Sequence, residues 1–391
     1  MNTSALSGVH RSLPLERIVY GRGAAEVIAE EAGRLGKTHV FVTTSRSLAG
    51  DDALPAKIAA ALGSSYAGRF FEISAHSPRA CVLAGAAAAR AAGADLLVAV
   101  GGGSVVDATK AILMCLWHNV ETEAALGALM SRRSADPSRQ LPYAATKTRM
   151  LAVPTMFSAA EFTWYAGLTD PSRGVKESFG HPLMIPQVVV LDPAATMETP
   201  LPLLRSTGLK AVDHAVEWGC GIDKSPLAEA VSAKALQLLY DGLPRLGGPD
   251  DDLAVRMDCQ LGMWLSIYSS VTGGAVGASH AIGHVLGGLG VPHGHTTGVM
   301  LPAVLTWNAP TNAADQARMA AAIGREGQSL ARVIGDLASR LEVPRSLRGL
   351  GVRQDQLDEI AEKSLHERGL RTNPRPITSA AEVTEILQLA W

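Results

Sequence analysis

Short apolar runs alternate with Ala-rich amphipathic stretches through the first third of the chain, at residues 17–20, 24–35, 40–43 and 54–62. This spacing predicts a βαβα succession. Residues 70–73 predict a further strand and residues 80–92 a helix. Residues 96–100 form a strand apolar at every position, running straight into Gly101, Gly102 and Gly103. A strand without a polar face is covered on both sides, so the pattern predicts a parallel sheet between two helical layers. Residues 131–148, SRRSADPSRQLPYAATKT, are polar, carry two prolines and lack a period, which predicts an exposed connection. Strands resume at 151–153 and 188–191, the latter closed by Asp192-Pro193. Beyond it helical periods dominate, at 208–218, 227–243, 253–271, 274–289 and onward to residue 389. The expected organisation is an α/β domain over residues 1–193 and an all-helical domain over residues 194–391.

Composition acts mainly by exclusion. A chain of 391 residues suits two domains, and 47% hydrophobic with 18% charged residues gives a large core rather than disorder. Thirty-five Lys and Arg against 37 Asp and Glu leave a formal charge of -2, which offers no electrostatic footprint for nucleic acid or an anionic membrane. The partner expected is a small molecule. No apolar run approaches the roughly 18 residues of a membrane span, and charges stand where a secretory signal is apolar, so the expected location is the cytoplasm. Cys81, Cys115, Cys220 and Cys259 are scattered without a CxxC pair, which predicts buried thiols rather than disulfides or a zinc site.

In LLVAVGGGSVVDATKAI three glycines lie between the buried strand and a helix beginning near Ser104. Glycines let a ligand approach the backbone, and a helix start offers N–H groups and a positive dipole end to phosphate. A tight strand-to-helix turn would use the same residues.

This segment, with Asp107 and Lys110 following, resembles the GGGSxxDxxK signature of the iron-containing alcohol dehydrogenase superfamily. Further stretches are similar in the same order: VYGRGAAE from Val19, PTMFSAAEFT from Pro154, GVK from Gly174, VVLDP from Val189, STGLKAVDHAVE from Ser206 and HAIGHVLGGLGVPHG from His280. PTMFSAAEFT has the short form found in the maleylacetate reductase branch. The resemblance implies a dehydroquinate synthase-like fold, with NAD(P)H held by Gly101, Gly102, Gly103, Ser104 and Asp107, and Thr155 and Ser158 nearby. NAD-restricted members often carry an Asp after the second strand. Here Thr44, Ser45 and Arg46 stand there, which predicts acceptance of a 2'-phosphate, unless Arg46 merely solvates a helix start.

His280 and His284 share one helical face, and His293 follows in a Pro-His-Gly turn. In metal-using relatives a D-x-x-x-H helix joins two later histidines around divalent iron or zinc. The resemblance maps His214, His280 and His293 onto those histidines, but the Asp position is Lys210. A protonated lysine repels a divalent ion and cannot coordinate it. Asp213 could substitute, although it lies roughly 60° around the helix from 210. Maleylacetate reductases also depart at this Asp and are regarded as metal-free. Lys210 would then direct positive charge at the substrate oxygen, or else pair with Glu217. By the same resemblance His284 lies near the nicotinamide and is the candidate proton donor. His295 is extra, and the stretch from His284 to His293 is one residue shorter than in most relatives.

The expected protein is an NAD(P)H-dependent oxidoreductase, reducing a carbonyl, or the C=C bond of an oxo acid, or oxidising an alcohol, in a cleft between its domains. Lys210, His280 and His284 are the catalytic candidates and an oxo acid or aldehyde is the substrate. The alternatives are an iron- or zinc-dependent alcohol dehydrogenase, a dehydroquinate-synthase-like cyclase and a nucleotide-binding protein without catalysis. A homodimer is expected from the family. Substrate, direction and the preferred nicotinamide are left open by the sequence.

Overall fold

In a computed structural model, the structure describes residues 12–130, 148–170, 175–222, 224–268 and 276–391, and only the backbone of residue 293. The connection expected at 131–147, Gly174 of the GVK match and the helix start expected at 274 lie outside these residues. The chain divides into two compact units, residues 13–199 and 200–391.

The first unit runs β1 (Arg17–Tyr20), α1 (Ala24–Arg34), β2 (Val40–Thr43), α2 (Leu54–Leu62), β3 (Tyr66–Phe70), α3 (Arg79–Ala91), β4 (Leu96–Gly101), α4 (Gly103–Trp117), α5 (Glu123–Ala128), β5 (Arg149–Pro154), β6 (Tyr165–Asp170), β7 (Val175–Gly180) and β8 (Val188–Leu191). Six parallel strands form one sheet in the order β1-β8-β5-β4-β2-β3. Its central strand explains the apolar run. Leu96, Val98 and Val100 enter a core with Val27 and Ile28 of α1 and Ile58 of α2, while Leu97 and Ala99 enter another with Val82 of α3 and Val106 of α4. Alternate side chains therefore serve opposite faces, and both faces are closed.

The chain leaves β2 for the sheet edge at β3, then returns to β4 and continues the other way to β5. The strand order thus reverses between β2 and β4, where open α/β sheets bind ligands beyond the strand C-termini. Thr43 and Gly101 end those two strands.

The strand expected at 70–73 is displaced to Tyr66–Phe70. Parallel pairing with β2 recruits Gly68 and Arg69, which carry no strand pattern, while Phe71 and Ile73 fall into the following loop. The antiparallel β6–β7 hairpin is an element that the sequence reading did not contain. Residues 193–196 form a 3-10 turn and the Thr199 hydroxyl donates to the Thr155 carbonyl at 2.7 Å, so the first unit extends to 199.

The second unit is helical: α6 (Leu201–Gly219), α7 (Pro226–Gly242), α8 (Leu253–Tyr268), α9 (Ala278–Gly288), α10 (His293–Ala322), α11 (Leu330–Arg340), α12 (Leu357–Ser364), α13 (Arg368–Arg371) and α14 (Ala380–Leu389). Helix α10 is kinked at Asn312, just after Pro310. A core of Ile282, Leu286, Met300, Val304, Ile360 and Ile386 joins α9, α10, α12 and α14. Among the described residues no helix is long and apolar enough to cross a membrane.

Candidate active site

Two places carry chemistry, one in each unit. In the first, Gly101 adopts φ +152, and a Cβ on Gly102 would lie 2.3 Å from the Met156 methyl. A Cβ on Gly103 would come 3.1 Å from Ser158 Oγ. The turn is therefore built for glycine, and Gly102, the N-cap of α4, supplies no side-chain cap to the helix start that follows. Ser158 Oγ is buried beside it without a hydrogen-bond partner among the described residues, as expected of a group reserved for a ligand.

The other expected cofactor residues divide into those near this turn and those tied elsewhere. Ser104 Oγ accepts the His76 N–H at 3.1 Å, and the Ser104 carbonyl accepts the Ser77 hydroxyl at 2.7 Å. The Thr155 N–H donates to the Gly101 carbonyl at 3.2 Å, holding β5 against the turn. Thr44 is buried and its hydroxyl donates to the Val100 carbonyl at 2.8 Å, which commits it to the sheet. Arg46 is exposed at the end of β2, with Glu72 3.3 Å from its guanidinium. The Asp107 carboxylate accepts the Gly167 N–H at 3.0 Å and so anchors β6.

Lys110, one turn further, is completely buried. Its ammonium donates to the carbonyls of Ala160 (2.6 Å) and Tyr165 (2.9 Å) and to the Thr163 hydroxyl (2.9 Å). Burial lowers its pKa to about 8 against the pull of Asp107 and Glu161, and burial raises Glu161 to about 7. The signature lysine thus pins the loop that carries Thr155 and Ser158. In that loop Ala159 is held at φ +62, a conformation that costs an L-residue roughly 1 kcal/mol. Ala159→Gly is expected to stabilise the protein by about 0.5–1 kcal/mol, seen as a higher urea midpoint, and an unchanged or lower midpoint refutes this.

In the second unit, helical spacing places Lys210, Asp213, His214 and Glu217 along one side of α6. The His214 ring stacks on Trp218 at 5.2 Å and on His280 at 4.7 Å. His280 Nδ1 lies 2.7 Å from Glu217 Oε2 and 3.3 Å from Asp213 Oδ2. Glu217 also accepts the N–H groups of Gly277 and Ser279, both at 2.9 Å, so a carboxylate from α6 caps α9. Asp213 accepts the hydroxyls of Ser279 (3.0 Å) and Thr297 (3.1 Å). One turn beyond His280, the half-exposed His284 sets its ring edge-on to His280 at 6.5 Å and its Nδ1 3.2 Å from Glu367 Oε2.

Burial dominates the electrostatics here. It lowers His280 to about 4 and His214 well below the ordinary imidazole range, with Lys210 lowering both further. It raises Asp213 and Glu217 to about 7 each. His295 is partly buried and lowered for the same reason. The side chain of His293 lies outside the described residues.

The structure brings His214, His280 and His284 together and adds partners that the sequence reading did not assign. Asp213 reaches His280 despite its angular offset, because α9 and α10 supply hydroxyls on that side. Glu217 orients His280, and its spacing of four from Asp213 was the available signal. Asp213, Glu217 and His280 each offer one ligand atom within 4.8 Å of the others. However, the 2.7 Å between Nδ1 and Oε2 is a hydrogen-bond length. Two ligands of a tetrahedral ion with bonds near 2.1 Å stand about 3.4 Å apart. Both Glu217 oxygens are moreover engaged by main-chain N–H groups.

Comparison with known proteins agrees with this architecture. Residues 15–193 match the family described as iron-containing alcohol dehydrogenase, and residues 205–391 match the Fe-containing alcohol dehydrogenase family, C-terminal. A maleylacetate reductase of Rhizobium sp. (strain MTP-10005) is 31% identical over 96% of this chain and 95% of its own. One of Sphingobium indicum is 31% identical over 95% and 94%. The crystal structure of maleylacetate reductase from Agrobacterium tumefaciens superposes with a TM-score of 0.82 at 29% identity, covering 98% of both chains. The chain belongs to the iron-containing alcohol dehydrogenase family and is an oxidoreductase.

Proposed function

We propose that this enzyme is a nicotinamide-dependent reductase of an acidic oxo substrate, of the maleylacetate reductase kind, and that it works without a metal ion. The observation that carries this reading is Lys210. At the position where metal-using relatives place a carboxylate ligand, α6 holds an ammonium close enough to lower the pKa of His214 and His280. With the hydrogen-bonded spacing of Asp213, Glu217 and His280, this donor set does not fit a divalent ion. The relatives named maleylacetate reductase support the substrate class.

The roles follow from the chemistry of each group. The α4 N-terminus and its glycines suit a pyrophosphate, and the turn after β2 carries Arg46 and no Asp, which suits a 2'-phosphate that takes the guanidinium from Glu72, so NADP(H) is accepted. When bound, the nicotinamide supplies a hydride. The Lys210 ammonium steadies the negative charge that grows on the substrate oxygen, and His284 gives that oxygen its proton through Nε2. A second reading, a metal-dependent alcohol dehydrogenase, draws on the three ligand atoms within 4.8 Å.

Protein offered iron and zinc is expected to retain less than about 0.1 ion per chain while reducing maleylacetate with NADPH. Lys210→Met should lower kcat about a hundredfold, the scale for loss of one charge-stabilising group, and leave the NADPH Kd unchanged. One ion per chain, with activity lost to a chelator, overturns the reading and favours the second.

A further inference from the structure

We propose that Glu367 is a positioning residue for His284, forming with it a carboxylate–imidazole dyad that fixes which ring nitrogen handles the proton. This rests on the reading of His284 as proton donor. A half-exposed imidazole on a helix surface has little packing to hold one rotamer, so its function needs a tether. Glu367 Oε2 stands 3.2 Å from Nδ1. An ionised carboxylate can only accept, so Nδ1 carries a hydrogen and Nε2 is the atom that exchanges a proton with substrate.

The mount of Glu367 is rigid. Its segment is strapped to the start of α9 at three points. Gly369 approaches so closely that a Cβ there would lie 2.5 Å from the Gly277 carbonyl. The Thr372 hydroxyl donates to the Val276 carbonyl at 2.7 Å, and Asn373 Oδ1 accepts the Ala278 N–H at 3.3 Å. These contacts hold Glu367 against the helix that bears His284. The same helix repeats the device one turn earlier, where Glu217 stands 2.7 Å from Nδ1 of His280. Two histidines of α9 thus each meet a carboxylate at Nδ1, from two different segments.

In the reduction of a conjugated oxo acid, hydride adds to the C=C carbon β to the carbonyl, the C=C pair shifts to the neighbouring C–C bond and the C=O π pair moves to oxygen. That oxygen takes the proton from Nε2 of the His284 imidazolium as the Nε2–H bond breaks, and the enol then gains a proton on carbon from water and releases the one on oxygen to water. The imidazole keeps its Nδ1 hydrogen and regains a proton at Nε2 from water, while Glu367 stays ionised throughout.

The test compares Glu367→Met, Glu367→Asp and His284→Ala in the full-length enzyme, with NADPH and maleylacetate. It measures kcat, KM, the NADPH Kd by fluorescence and the His284 tautomer by nitrogen NMR. Glu367→Met is expected to lower kcat about ten- to a hundredfold, with KM and NADPH Kd within twofold, and to lose the excess of the Nδ1–H tautomer. Glu367→Asp restores part of both. Glu367→Met with wild-type kcat, or with an unchanged tautomer, overturns the dyad while His284→Ala is inactive. A fully active His284→Ala variant instead removes the parent assignment.

Discussion

Lys110→Met is expected to cost about 3–5 kcal/mol of folding stability, the range for removing one member of a buried charged cluster. The ammonium has no exposed surface and donates to three oxygens, two of them main-chain carbonyls at 160 and 165. Methionine fills the volume but offers no donor, so acceptors are left buried, and Glu161 loses its nearby cation. Domains have only about 5–15 kcal/mol in all, so this is a large fraction. The loop pinned by Lys110 carries Thr155 and Ser158, and NADPH affinity should fall with stability. Urea unfolding and a fluorescence titration measure both. A loss under about 1 kcal/mol would mean that the loop holds itself.

Gly294→Ala should be nearly as severe. A Cβ at this position would lie 2.0 Å from the Ser206 carbonyl oxygen and 2.2 Å from its hydroxyl. The near neighbour is backbone, so no rotamer change relieves it, and α10 must move away from α6. Overpacking typically costs about 1–3 kcal/mol, and a clash with main chain belongs at or above the upper end. The same movement pulls Thr297 on α10 from Asp213 on α6, so turnover should drop at least tenfold. Gly288→Ala is the control. Nothing lies within 4 Å of its added methyl, and both stability and kcat should stay near wild type. Equal behaviour of the two variants would remove the close approach as the reason for Gly294.

The legible parts of this protein are those whose signal is local. The apolar run 96–100 followed by three glycines predicts a buried strand and a tight turn into a helix because both properties reside in neighbouring residues. The helical second half is legible from its period. Tyr66–Phe70 escapes that logic, since Gly68 and Arg69 become strand through pairing with β2 rather than by their own preference. The partners of the histidines escape it for a related reason. Glu217 meets His280 across 63 positions and Glu367 meets His284 across 83, and only helix packing brings them together. Thr44 has the right place in sequence for a cofactor contact, yet its hydroxyl serves the sheet. The exchange of Asp for Lys at 210, by contrast, is plain in the sequence because a resemblance supplies the expected residue.

Among the described residues the outer strand β1 pairs only with β8, and the Asp192 carboxylate closes the same junction by accepting the N–H of Ala24 at 2.8 Å and of Ala194 at 2.9 Å. The earliest described strand is therefore the last to find its neighbour. At about 5–20 residues per second a ribosome needs roughly ten to thirty seconds to travel from one end of this junction to the other. For that interval residues 17–20 have no place in the sheet, and the inner strands β2 to β5 can associate without them. Non-local pairing of this kind makes completion of the sheet slow and places it after synthesis of residue 191. During that wait the emerging chain exposes the β5 edge of the partly assembled sheet, where a chaperone or a neighbouring nascent chain would compete with β8 for the same backbone hydrogen bonds.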